Sequence, residues 1–305
     1  MARYHRYQIA ACPVAEGVRV RSGSAVAFAV RKESKDVALR IRREFHPVRA
    51  ALARIPFLRG MVRLIGSILD FLDGAMESDE LQPQQIAKGR KGEQRFAELF
   101  RVQPASLVAA GSALAIVFLL ALVWAVPFAL ERLVLPRYAL SRAATNAVAC
   151  AARVLAALGA AALIPRLRVV NRLCMYRGAL NQVLNAAGGH RRQVTQEEAE
   201  RASHISRRSD AAFALTTALL SIVIFALVRT YTLPVQLLVR ALIVLAVAGV
   251  VNEPIRLLEK TPAGHPAGAL LAPQVWLEHF FARKPHPQMV EVAVLAWNAA
   301  QENAD

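Results

Sequence analysis

Histidines, cysteines and carboxylates are the residue types that could carry chemistry here, and their spacing offers little for catalysis. The seven histidines are His5, His46, His190, His204, His265, His279 and His286. None forms a convincing i,i+4 metal-ligand pair with another His, a Cys or a carboxylate. Glu278 and His279 are adjacent, so a helix points them in different directions. Isolated histidines of this kind read as surface or interface residues. Cys12, Cys150 and Cys174 stand far apart in no CxxC spacing, too few for a disulfide framework. There is no P-loop, GxGxxG, HExxH or GxSxG. What stands out instead is charge in apolar surroundings. Arg153 and Arg240 interrupt long apolar runs, where a charge costs roughly 2.5–3.5 kcal/mol on insertion scales. Arg240 is about two turns from Thr230–Thr232 and reads as snorkelling to the headgroups. Arg153 lies nearer the middle of its run. An interior pairing and a shallow or tilted helix fit it equally.

The apolar runs set the architecture. Ser106–Leu130 is 25 residues without a charge, and about 20 suffice to cross the hydrocarbon as a helix. Trp124 and Phe128 sit near its end, where the interface favours aromatics. Ala211–Val228 and Leu233–Val251 read as a hairpin around Thr230-Tyr231-Thr232. Ala143–Ile164, Ala-rich and carrying Arg153, is the weakest candidate, and a core or interfacial helix competes there. The expectation is four spans, with three as the fallback. The charges support four. Basic residues near span ends stay in the cytoplasm. The segment before the first span holds 19 Lys+Arg against 11 Asp+Glu, and Arg166–Ser209 holds nine Arg against three Glu. Four spans place both, and both termini, on one side; three would separate them. Met1–Ala11 lacks the apolar core of a signal peptide, so the N-terminal region reads as a domain.

Outside the spans, Tyr7–Val30 reads as short strands. Val18 and Val20 alternate with Arg19 and Arg21, Ser22-Gly23-Ser24 is a turn, and Ala25–Val30 is a second apolar run. Asp36–Glu44 reads as a short helix ending before Pro47. Ile55–Glu77 carries Arg59, Arg63, Gly66, Asp70, Asp73 and Glu77 on one helical stripe beside a wide apolar face. Two readings fit it equally: packing in the core of a cytoplasmic domain, or lying in the membrane interface or docked against the spans. Val275–Phe281 and Gln288–Gln301 read as short helices. In the second, Met289, Val292, Ala293, Ala296, Trp297 and Ala300 share a face. The expected division is an N-terminal cytoplasmic region (1–104), a first span pair (105–165), a basic cytoplasmic loop (166–209), a second hairpin (210–252) and a C-terminal cytoplasmic region (253–305).

The 305 residues carry a net charge of +16 with 55% hydrophobic residues and a mean hydropathy of +0.34. That apolar content excludes disorder. The basic excess does not read as nucleic-acid binding, because Tyr176 is the only aromatic residue among the nine arginines of Arg166–Ser209. Anionic headgroups account for it, at about 1 kcal/mol per basic residue near the surface.

Several segments, in order, resemble the YqhQ-like family of bacterial membrane proteins, catalogued as predicted metal-dependent enzymes of unassigned function. Ala15-Glu16-Gly17-Val18 with Arg21 is similar to the family's IEGVMMR motif, and Pro56-Phe57-Leu58-Arg59-Gly60 with Ser67 to its PLLRG…S helix. Val250-Val251-Asn252-Glu253 resembles GISYE, Pro273-Gln274-Val275-Trp276-Leu277 resembles PGLWLQ, and Glu291-Val292-Ala293 resembles EVA. Two polar motifs, YHGAEHK and HPRCGTSF, carry the residue types able to hold a zinc-like ion. They fall on Tyr176–Gln182 and Ser206–Phe213, where the five ligand positions are Arg177, Leu180, Asn181, Ser206 and Ser209. None of these is a good ligand, and Arg177 puts a fixed positive charge where a cation would sit.

The expected fold is mainly α and integral to the membrane. It is a four-helix transmembrane bundle with a small α+β N-terminal region and a helical C-terminal region. The expected function is a non-catalytic scaffold, accessory subunit or lipid-binding module of the bacterial inner membrane, with both termini cytoplasmic. Its partners would be anionic lipid and a membrane protein or a second copy of the chain, with no cofactor, metal or nucleic acid. The alternative is a metal-dependent enzyme whose site has moved to residues such as Glu16, Glu253 and His204. Candidate interaction positions are Glu16, Arg21, Arg59, Arg63, Arg153, Tyr176, Arg177, Asn181, Arg240, Glu253, Trp276 and Glu291.

Overall fold

The computed structural model describes residues 9–32, 36–44, 46–81, 141–188, 192–227, 233–259 and 266–304. The expected first span, Ser106–Leu130, lies outside the described residues, as do residues 131–140 and the Thr230–Thr232 turn.

The chain begins with strands β1 (Ile9–Val14), β2 (Gly17–Ser22), β3 (Ala25–Arg31) and β4 (Val37–Arg43). They form one antiparallel meander in the order β1-β2-β3-β4. Cys12, Arg19, Phe28 and Arg40 form one cross-strand row. The helix expected over Asp36–Glu44 is therefore the strand β4. Val37, Leu39 and Ile41 recur every second residue, which is the period of a strand. Pro47 does not end a helix but opens one, α1 (Pro47–Leu52), where its missing N–H costs nothing.

Helix α2 follows (Leu58–Leu81), then α3 (Arg142–Leu163), α4 (Arg168–Ala186), α5 (Gln196–Arg201), α6 (Asp210–Leu227), α7 (Leu233–Leu258), α8 (Ala272–Phe281) and α9 (Pro287–Glu302). The segment expected as a basic loop thus holds two helices. Strand periodicity divides the sheet into two faces. On one face Val18, Val20, Ala27 and Ala29 pack with Tyr176, Ala179 and Val183 of α4 and with Val292, Ala293, Ala296 and Trp297 of α9. The Trp297 Nε1–H donates to the Arg192 carbonyl at 2.8 Å, which pins α9 to the chain after α4. The shared face expected for α9 is this buried one.

The other face of the sheet meets α2, and here the helix is turned against ordinary expectation. Its buried residues are Gly60, Leu64, Gly66, Asp70, Gly74 and Glu77. Its exposed residues include Ile65, Ile68, Leu69, Phe71, Leu72 and Met76. The polar stripe faces inward because its partners are there: arginines on β2 and β4 and carboxylates at the ends of α6 and α7. A soluble core would have taken the apolar face instead.

Among the described residues, three helices are long and apolar enough to cross a membrane: Ala144–Arg166, Asp210–Leu227 and Leu237–Leu258. The weakest expected span is among them. Their ends gather on the body formed by the sheet, α2, α4 and α9. The C-terminus of α3 runs through Ile164–Arg166 into α4. The first residue of α6, Asp210, and the last turns of α7 both bond to α2.

Candidate functional site

Most of the residues singled out by sequence fall into four clusters, each joining elements far apart in the chain.

The first joins α2 to α7. Arg59 and Glu253 form a two-pronged ion pair through Nε and Nη2. The same carboxylate accepts the Phe57 backbone N–H at 3.2 Å. Phe57 holds φ at 71°, a left-handed conformation rare for a bulky residue. Strain of this kind persists where surrounding contacts over-determine it. Two close approaches do so. A methyl group on Gly60 would collide with the Ala248 carbonyl, and one on Gly249 would lie 2.6 Å from the Phe57 ring. One turn along, Arg63 donates to Asp210 at 2.7 Å, to Asn252 at 3.3 Å and to Glu259 at 3.4 Å, and lies 4.7 Å over the Phe213 ring. Burial opposes the charge of Arg63, but Asp210 and Glu259 outweigh it and hold the guanidinium above its ordinary value. Glu259 goes the same way for another reason, since burial pushes its carboxyl up despite Arg63.

The second cluster lies between the sheet and α2. Asp70, 3% exposed, accepts from Arg19 at 2.9 Å, from Arg21, and from both prongs of Arg49 at 3.0 and 2.8 Å. Burial works against its charge, but Arg49, Arg21 and Arg19 prevail and hold the carboxyl below its usual range. Glu44 supplies a second carboxylate to Arg19 at 2.8 Å. The third cluster ties the β1–β2 turn to α4. Glu16 accepts from Arg172 and, at 3.4 Å, from the Tyr176 hydroxyl. Burial and the Glu16 charge push that phenol up. Nearby, Arg31 bonds Glu291 of α9 at 2.6 Å.

The fourth cluster collects the two polar motif segments. Glu278 is fully buried. Its Oε1 accepts from Arg177 at 3.1 Å and from Asn181 at 2.8 Å, and Ser209 donates to its Oε2. Arg177 also donates to the Ser209 hydroxyl at 2.9 Å, and Asn181 donates to the His204 carbonyl at 2.9 Å. Leu180 lies in the sheet–helix core, and Ser206 is buried nearby in sequence, its hydroxyl accepting from the Arg208 backbone N–H at 3.1 Å. Thus Arg177, Asn181 and Ser209 meet at one carboxylate, held by an ion pair and two hydrogen bonds. Gly178 lets the Arg283 carbonyl against α4, which seats α8 beside this cluster. Among the described residues, no group of three or more His, Cys, Asp or Glu could hold a metal ion.

Three candidates stand outside these clusters. Arg240 lies with its guanidinium 5.5 Å over the Phe225 ring of α6. Arg153 is half-buried on α3. Trp276 is 55% exposed and meets Phe280 edge-on at 5.1 Å. Glu16, Glu253 and His204 each engage different partners. Burial lowers the His204 imidazole, with His279 and Lys284 adding to the effect. Sequence reading did not select Asp70, Asp210, Glu259 or Glu278. The signal for Asp70 was the pair of arginines on β2, alternating with valines and so committed to one face. The signal for Glu278 was its position directly after the Pro273–Leu277 segment.

The fold and these clusters define a mainly helical protein with a small N-terminal antiparallel sheet and, among the described residues, three candidate membrane-spanning helices. The chain belongs to the family described as "Protein of unknown function (DUF1385)", whose profile matches residues 55–303. It is 24% identical to "Uncharacterized protein YqhQ" of Bacillus subtilis (strain 168) over 289 residues, covering 93% of this chain and 89% of that protein. The YqhQ-like resemblance of the motifs is therefore a family membership. The sheet lies ahead of the range that the family profile matches. No solved structure matches the chain.

Proposed function

We propose that this chain is a multi-pass protein of the bacterial inner membrane, with four spans and both termini in the cytoplasm, and that it works as a non-catalytic scaffold or accessory subunit. One observation carries the second half of this reading. The polar residues at the family-motif positions are engaged in ion pairs and hydrogen bonds across the α2–α7, sheet–α2, sheet–α4 and α4–α8 contacts. Glu278 is the clearest case, since its buried carboxylate already holds Arg177, Asn181 and Ser209. Fixed ion pairs between elements stiffen a platform, and the carboxylates and guanidinium groups that form them are committed to one another.

The topology follows from parity. The sheet, α4 and α9 share one core, so all three lie on one side of the membrane. If α3 crosses, its first residue, Arg142, lies on the opposite side from α4. The chain from Leu81 to Arg142 must then cross an odd number of times. Ser106–Leu130 is the one run in that stretch of the length required. Basic residues at the near ends, Arg166, Arg207 and Arg208 among them, support the cytoplasmic reading of that side.

Native mass spectrometry of the protein in lipid nanodiscs tests the scaffold reading. A retained protein partner or defined anionic lipid is expected. A stoichiometric metal ion, found by elemental analysis of the same preparation, would overturn the non-catalytic half in favour of an enzyme with a relocated site.

A further inference from the structure

We infer that α2 lies in the cytoplasmic interface of the same bilayer, its apolar face seated among the headgroups and upper acyl chains. This rests on the membrane reading above and goes beyond it. α2 is a second membrane contact, distinct from the spans.

Three observations converge. The helix is inverted: between Ile65 and Met76 the exposed positions are Ile65, Ile68, Leu69, Phe71, Leu72, Asp73 and Met76, of which only Asp73 is polar. The inward stripe is occupied by Asp70, Glu77 and the arginines that hold them, so rotating the helix to bury its apolar face would strand buried charge. The helix also starts at span depth. Gly60 rests on Ala248 and Phe57 on Gly249, both inside the candidate span Leu237–Leu258. The helix that carries the apolar face is therefore packed at its start against the apolar α7. In the 3-10 turn Pro266–Leu271 just before α8, Leu271 packs into the cluster around the same turns of α7 while Leu270 is exposed, and Trp276 on α8 is likewise exposed. Interfacial aromatics of this kind mark the headgroup level. A water-facing helix has no use for such a face, and a bilayer takes it without a specific partner.

Spin labels on the full-length protein in nanodiscs of mixed phosphatidylglycerol and phosphatidylethanolamine test this. Labels go at Ile68→Cys, Leu72→Cys and Met76→Cys, with the native cysteines replaced by Ser. Controls are Leu220→Cys on the lipid-facing side of α6 and Arg201→Cys on the exposed α5. Apolar oxygen should relax the three α2 labels several-fold more effectively than a water-soluble nickel chelate does, with Leu220 the same and Arg201 the reverse. Nickel-accessible α2 labels beside an oxygen-accessible Leu220 overturn the inference and leave the spans standing. α2 labels shielded from both probes also overturn it, since a protein partner then covers the face. A nickel-accessible Leu220 overturns the membrane reading itself.

Discussion

Asp70→Asn removes the negative charge from a site built of three arginines while keeping its shape. Arg19, whose side chain is 2% exposed, keeps Glu44; Arg21 keeps that carboxylate only at 3.7 Å; Arg49 loses a bidentate partner. Removing one partner of a buried ion pair costs about 3–5 kcal/mol, because the remaining charge stays buried. That is a large share of the roughly 5–15 kcal/mol that holds a domain together. At 2–4 °C per kcal/mol for a chain of this size, the melting temperature falls by about 10 °C. Size-exclusion chromatography after heating in mild detergent reads this directly. The pH dependence gives an independent arm. The folded-state value of Asp70 lies below its unfolded value, which is about 3.9. Its contribution is thus fully present above that value and is lost as pH falls through the folded value. The gap between wild type and Asp70→Asn should be constant near neutrality and close in strong acid. Adding Arg21→Gln to Asp70→Asn should recover part of the loss, because one stranded cation goes with it. A shift under about 2 °C, or a gap unchanged through strong acid, would refute the reasoning.

Two further outcomes follow from other contacts. Gly60→Ala should loosen α2 from α7, since its methyl meets the Ala248 carbonyl; overpacking of this kind costs about 1–3 kcal/mol and should read as earlier proteolysis within α2. Burial pushes the Cys12 thiol up to about 12 and the Cys174 thiol up to about 11, so iodoacetamide at pH 8 should leave both unmodified in the folded protein and alkylate both once it is denatured.

The sequence made the periodic elements legible. The β2 alternation, the α9 face and three of the apolar runs each read correctly, because a hydrophobic period reports which side of an element is buried. β4 is the exception: Val37, Leu39 and Ile41 carry the strand period, but Arg40, Arg42 and Arg43 between and after them dilute it, and pairing with β3 decides the element. The stripe of α2 was found but not its direction. Arg59 and Arg63 look outward-facing on a helical wheel, and only Glu253, Asp210 and Glu259, distant in sequence, show that they face in. The same limit applied to Glu278. The Tyr176–Gln182 and Ser206–Phe213 segments were visible as candidates, but the carboxylate at which Arg177, Asn181 and Ser209 meet stands on another helix. Pairing across the chain is not a periodic signal.

The central claim is that the sheet, α4 and α9 form one cytoplasmic body above four spans. Topology reporters test it directly. Dual reporters fused after Asp305, inserted at Gly188 and inserted in the Glu131–Arg142 connection should read cytoplasm, cytoplasm and exterior. An exterior signal from Gly188, or a cytoplasmic one from the connection, would contradict the account.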